Sequence, residues 1–120
     1  MSLYDDLGGD PAIAAALDRF YEKVEADDEI NGYFEHVDLD RLKKRQRSFF
    51  AMALGGPNEY DGPGLRTGHT RPRRQGLDEA DYDRFMGHFE DTLGELGVPD
   101  DKIDEVMAIA HTGKDDVLGR

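Results

Sequence analysis

Apolar residues return every three or four positions in four separate blocks of this chain, and no block alternates with period two over a strand's length. That spacing puts one apolar face on each of four helices and predicts an all-α fold. The first block carries Ile13, Leu17, Phe20, Tyr21 and Val24 and ends near "EADDE"; Asp10 reads as its N-cap, with Pro11 at the first helical position. "EINGYFEHVD" reads as a short, irregular helical turn carrying Tyr33 and Phe34 inward. In the second block, "DRLKKRQRSFFAMAL", Asp40 or Asp38 is the cap and Gly55, Gly56 and Pro57 form the stop. Its stripe is Leu42, Gln46, Phe49, Phe50 and Ala53. The Gly- and Pro-rich "GGPNEYDGPG" then leads to a short turn around His69. A third helix starts near Asp78 with Tyr82, Phe85, Met86, Phe89, Leu93 and Leu96 on one face. After the break at "GVP", "DDKIDEVMAIA" presents Ile103, Val106, Met107 and Ala110.

With 120 residues and no shift in composition, residues 1–120 are expected to form one domain with one core. The chain has no cysteine, which removes disulfides, thiolate metal sites and thiolate catalysis. "MSLYDDLGGD" lacks a basic region followed by an apolar run, and no apolar stretch is long enough to span a bilayer. The expected location is the cytoplasm, with no membrane partner. A formal charge of −12 opposes the phosphate backbone, so no nucleic-acid partner is expected. The basic runs "RLKKRQR" (41–47) and "RPRR" (71–74) are expected to be solvated faces or contacts for one small anion. No G-x-S-x-G, P-loop or G-x-G-x-x-G pattern supports a hydrolase or nucleotide site.

Polar groups on the apolar stripes carry more information. Gln46 lies between Leu42, Phe49 and Phe50, and burying its amide unpaired would cost about 1–3 kcal/mol. Tyr21, at the edge of the first stripe, also needs a partner for its hydroxyl. Either the two pair directly and tie their helices together, or both face a bound polar group. His69 stands in a scaffold weakened by Gly64, Gly68 and Pro72. A lone histidine is commonly a loop residue, yet neutral imidazole is also the commonest protein metal ligand. His36, His88 and His111 show no metal-site spacing with it, so His69 could serve only where one protein ligand suffices. Haem is such a case, since the porphyrin fills the iron's equatorial positions. The remaining histidines suggest no role: His36 in a loop, His88 on a helix flank, His111 solvated.

"YDDLGG" (4–9), "RFYEKVEADDEI" (19–30) and "RLKKRQRSFFAMALGGP" (41–57) resemble the truncated haemoglobins, most closely group I. "YDG" (60–62), "LRTGH" (65–69) and "DYDRFMGHF" (81–89) continue the pattern in order. The resemblance implies a shortened globin fold, a two-over-two helical sandwich around haem b. It makes His69 the proximal iron ligand, Tyr21 the distal hydroxyl and Gln46 its support. Phe34 matches the phenylalanine packed on the haem, and Leu65, Tyr82, Phe85 and Phe89 match pocket-lining positions. Arg45 could pair with a propionate, and Phe50 matches a position that gates an apolar gas tunnel in some members. Leu42 replaces the histidine or glutamine often found at its position, so that position offers no internal sixth ligand. "TRPRRQ" (70–75) is longer and more basic than in some relatives.

The implied function is binding of dioxygen and other diatomic gases, nitric oxide and carbon monoxide among them. Oxidation of nitric oxide to nitrate would follow, with a reductase restoring ferrous iron. Tyr21 and Gln46 would act catalytically by stabilising charge on the ligand. An oxygen carrier, a gas sensor, and a cofactor-free helical interaction module in which Tyr21–Gln46 is only a core hydrogen bond are the alternatives. A monomer or weak dimer is expected.

Overall fold

The computed structural model describes residues 2–58, 60 and 64–120, and among these the chain is helix, turn and loop with no strand. Helix α1 (Leu3–Leu7) is too short for periodicity to reveal. Ser2 Oγ accepts from the Asp5 N–H at 3.2 Å to start it, and Gly8, at φ 109°, closes it. Tyr4 in this helix joins three elements. Its N–H donates to the Leu54 carbonyl at 2.9 Å. Its ring lies so close to Gly56 that a Cβ there would fall 2.5 Å from Tyr4 Cγ. Its hydroxyl accepts the Asp10 N–H at 3.1 Å.

That last bond corrects the expected start of α2 (Asp10–Glu25). The cap is Gly9, Asp10 is the first helical residue and Pro11 the second. Tyr4 takes one of the N–H groups that a helix start leaves unpaired. Helix α2 buries Ile13, Ala16, Leu17, Tyr21 and Val24, close to the expected face. A 3-10 turn (Asn31–Phe34) follows, preceded by Ile30, which is fully buried.

Helix α3 (Leu39–Ala53) is capped by Asp38, not Asp40: the Asp38 carboxylate accepts the Arg41 N–H at 3.2 Å. It ends at Leu54, followed by Gly55 at φ 90°. Only Ala51 of this helix is fully buried, while Leu42, Gln46, Phe49, Phe50 and Ala53 remain half-buried. Two short helices, α4 (Leu65–Gly68) and α5 (Thr70–Arg74), meet at His69. Helix α6 (Glu79–Glu95), capped by Asp78, buries Tyr82, Phe89, Thr92 and Leu93. Leu96 was expected on that face but is the terminal cap residue, 42% exposed. Helix α7 (Asp100–His111) buries Ile103, Val106 and Met107, and α8 (Lys114–Leu118) follows.

Helix α2 packs on both α3 and α6, and α6 packs on α7. The α2–α3 pair thus lies over the α6–α7 pair, the two-over-two arrangement expected. Their shared interior holds Leu17, Val24, Ile30, Leu93 and Val106.

Candidate functional site

Tyr21 is 2% exposed, and its hydroxyl donates to Gln46 Oε1 at 2.6 Å. The direct pairing considered from sequence is therefore present, tying α2 to α3. Gln46 is half-buried, so the pair sits at the edge of the core and not within it. Burial pushes the Tyr21 hydroxyl well above the ordinary tyrosine value, with the Gln46 bond opposing part of that rise. The hydroxyl is thus a neutral donor across any physiological pH. Lys43, 5.9 Å from the centre of the Tyr21 ring, adds a cation over its face.

Aromatic rings spread from this pair in both directions. Phe34 meets Tyr21 edge-on at 5.5 Å and Phe85 at 5.9 Å. Phe20 lies 5.0 Å from Tyr21 and 5.8 Å from Phe89, and Phe50 stacks on Phe89 at 5.5 Å. Phe50 and Phe89 also line an apolar cavity of about 220 Å³ with Leu17, Leu54 and Val106. Leu42 is half-buried against the same core. Tyr21, Phe34, Gln46, Phe50, Phe85 and Phe89 are thus brought into one connected cluster.

Tyr82 and Arg45 lie outside this cluster. Tyr82 is buried, but its hydroxyl lies 3.0 Å from His111 Nδ1 and Lys114 sits 5.3 Å over its ring. His111, expected to be solvated, is exposed yet engaged in this contact. Arg45 is exposed on α3. His69 is half-buried at the junction of α4 and α5, and its carbonyl accepts the Arg73 N–H at 3.1 Å. Leu65 begins α4, but its side chain lies outside the described residues, as does most of "YDG" at 60–62.

The clustered residues fit a flat, mainly apolar group. The α3 stripe, Phe34, Phe85 and Met86 offer partly uncovered apolar surface, and Tyr21–Gln46 adds a polar edge. A bare ion has no such support: among the described residues no group of three or more acidic or histidine side chains could hold a metal.

Sequence reasoning missed the most charged cluster in the core. Asp27, at the end of α2, is forked by Arg84 at 2.8 and 3.0 Å, and His88 Nε2 lies 2.7 Å away. The Asp27 side chain is 7% exposed, and these partners hold its carboxyl far below the usual carboxylate range, Arg84 most strongly. Arg84 and His88, one turn apart on α6, were the available signal that an acid faces that helix. Asp27→Ala should destabilise the fold by about 2 kcal/mol at neutral pH, below the cost of an uncompensated buried charge because Arg84 is half-exposed. A depressed folded-state pKa stabilises above the unfolded-state value and ceases to as pH falls through the folded one. Urea unfolding should therefore show the full gap between wild type and variant at neutral pH, narrowing once pH falls below the ordinary aspartate value and closing only in strong acid.

Residues 2–118 match the bacterial-like globin family. The group 1 truncated haemoglobin of Tetrahymena pyriformis is 36% identical over 119 residues, covering 99% of this chain and 96% of that one. The group 1 truncated haemoglobin of a Synechocystis species is 38% identical over 122 residues, covering 99% and 98%. Among solved structures, the 2/2 haemoglobin of Synechococcus sp. PCC 7002, in the cyanomet state with covalently attached haem, superposes with a TM-score of 0.95 at 36% identity, both chains covered in full. The Fe(III) form of the Tetrahymena pyriformis truncated haemoglobin gives 0.91 at 35%, again with both chains covered in full.

Proposed function

This chain belongs to the bacterial-like globins, among the group 1 truncated haemoglobins, and from that premise we propose that it binds dioxygen at ferrous iron and oxidises nitric oxide to nitrate. Its cofactor is haem, which supplies a reducible iron for dioxygen, nitric oxide and carbon monoxide. His69 holds that iron as the single protein ligand. Phe34, Leu42, Tyr82, Phe85 and Phe89 wall the slot, and the exposed guanidinium of Arg45 pairs with a propionate. Phe50, on the rim of the apolar cavity, governs the route of gases to the site.

The observation that carries the reading is the Tyr21–Gln46 bond at 2.6 Å around a buried, protonated hydroxyl. A donor aimed at the bound gas stabilises negative charge gathering there, and a dry surrounding strengthens it. A hydroxyl carries one proton. When Tyr21 turns it toward the ligand, Gln46 keeps its hold by rotating its amide so that Nε2–H donates to the phenol oxygen. The apolar Leu42 leaves the donation to this pair. Each turnover returns ferric iron, so the cycle takes an electron from a reductase. The proposed setting is the cytoplasm, as a monomer or weak dimer; among the described residues no helix is long and apolar enough to cross a membrane.

Rapid mixing of the oxygenated ferrous protein with nitric oxide tests this. Ferric protein and one nitrate per haem should form within the mixing time of a stopped-flow instrument. A reaction no faster than spontaneous oxygen loss would instead support the carrier or sensor reading.

A further inference from the structure

The turn that bears His69 is made of helices too short to stand alone, and its steadiness must come from elsewhere. Arginines on both sides of His69 reach the same distant segment. Arg73, four residues after it, donates from Nη1 to the carbonyls of Asp116 at 3.1 Å and Val117 at 3.3 Å. Arg66, three residues before it, donates to the Arg120 carbonyl at 2.5 Å and to Asp116 Oδ1 at 3.3 Å. The two contacts differ in weight. Arg66 and Asp116 are each about half-exposed, so their ion pair contributes little. Arg73 instead caps carbonyls that the last turn of α8 leaves unpaired, at the negative end of that helix, in a part-buried position.

The segment they grip is itself anchored. Glu79, at the start of α6, accepts from Lys114 at 2.7 Å and from Arg120 at 3.3 Å. Lys114 also covers the face of Tyr82. Gly119 completes the fit: at φ 75° it adopts a left-handed conformation, and a Cβ there would fall 2.8 Å from Arg73 Cδ.

We infer that Arg73, assisted by Arg66, is a positioning residue for the proximal histidine, clasping α8 and through it fixing the His69 turn relative to the start of α6. This rests on His69 being the iron ligand. The basic "RPRR" run is thus not a solvated face or an anion contact at Arg73 but an internal clamp on backbone carbonyls. It steadies a turn whose own residues cannot.

The test uses the haem-loaded full chain, with wild type compared with Arg73→Gln and the double variant Arg66→Gln/Arg73→Gln. Haem transfer to excess apomyoglobin should accelerate by about fivefold or more, the factor that about 1 kcal/mol gives. The iron–histidine stretching band of the ferrous protein should shift or broaden, and amide exchange over residues 64–74 should quicken in the apoprotein. Lys102→Gln, which breaks an ion pair between α7 and Asp6, is the control for general destabilisation and should leave haem transfer unchanged. Wild-type transfer and an unshifted band in both arginine variants would overturn the clasp, as would equal acceleration by Lys102→Gln. If the double variant does not fold, Gly119→Ala displaces Arg73 from the other side and must give the same acceleration. A wild type without haem, or without an iron–histidine band, would refute the ligand assignment and not the clasp.

Discussion

Replacing His69 by alanine is expected to abolish stable haem uptake: stoichiometric haemin should give no sharp Soret band, only the broad absorption of loosely held haem. The apolar slot alone can attract a porphyrin, but without the His69 imidazole it offers the iron no protein bond. The loss should be on the order of a hundredfold in affinity or more, about 2.7 kcal/mol. The fold should survive. The most deeply buried side chains, Tyr21, Val24, Ile30, Thr92 and Val106, belong to other segments, so far-UV circular dichroism of the variant should match that of wild-type apoprotein. An unchanged absorption spectrum in His69→Ala would refute the proximal assignment, and the two readouts together separate ligand loss from unfolding.

Tyr21→Phe is expected to speed dioxygen dissociation by at least about tenfold, the factor given by 1.4 kcal/mol. The substitution removes only the hydroxyl. The ring keeps its edge contacts with Phe20 at 5.0 Å and Phe34 at 5.5 Å, so the slot keeps its shape. Gln46 loses its partner but is only half-buried and can turn to water, which limits the stability cost to about 1 kcal/mol. Burial holds the hydroxyl protonated beyond the usual tyrosine range. The difference between wild type and variant should therefore stay constant with rising pH, even through the region where an exposed tyrosine ionises. Stopped-flow displacement of dioxygen by carbon monoxide reads both the rate and its pH dependence. An unchanged rate would remove Tyr21 from its role.

The four long helices and the Tyr21–Gln46 pair were legible because each follows from local rules. Helical spacing marks a buried face, and a polar group on that face demands a partner. What stayed hidden depends on contacts between distant segments. Asp27 sits outside any stripe, and only the folded chain brings Arg84 and His88 to it. Arg73 bonds to backbone carbonyls, which leave no mark on the residues that carry them. The start of α2 was hidden for the same reason: the helix begins one residue earlier than Asp10 as cap implied, and the hydroxyl of Tyr4 arrives from another helix to take the Asp10 N–H. Leu96 kept the helical period but fell at the helix end, where the period no longer implies burial.

Tyr4 carries a consequence for the order in which the chain assembles. A five-residue helix does not persist alone in water, so α1 takes shape only when Leu54 and Gly56 are already in place to receive it. Bringing its residues together with theirs closes a loop of about fifty residues, an entropic cost that local contacts do not bear. The amino-terminal turn is therefore among the last pieces to dock and the first to peel away. The Tyr4 hydroxyl on the first N–H of α2 and the seal on the end of α3 arrive with it in one late event.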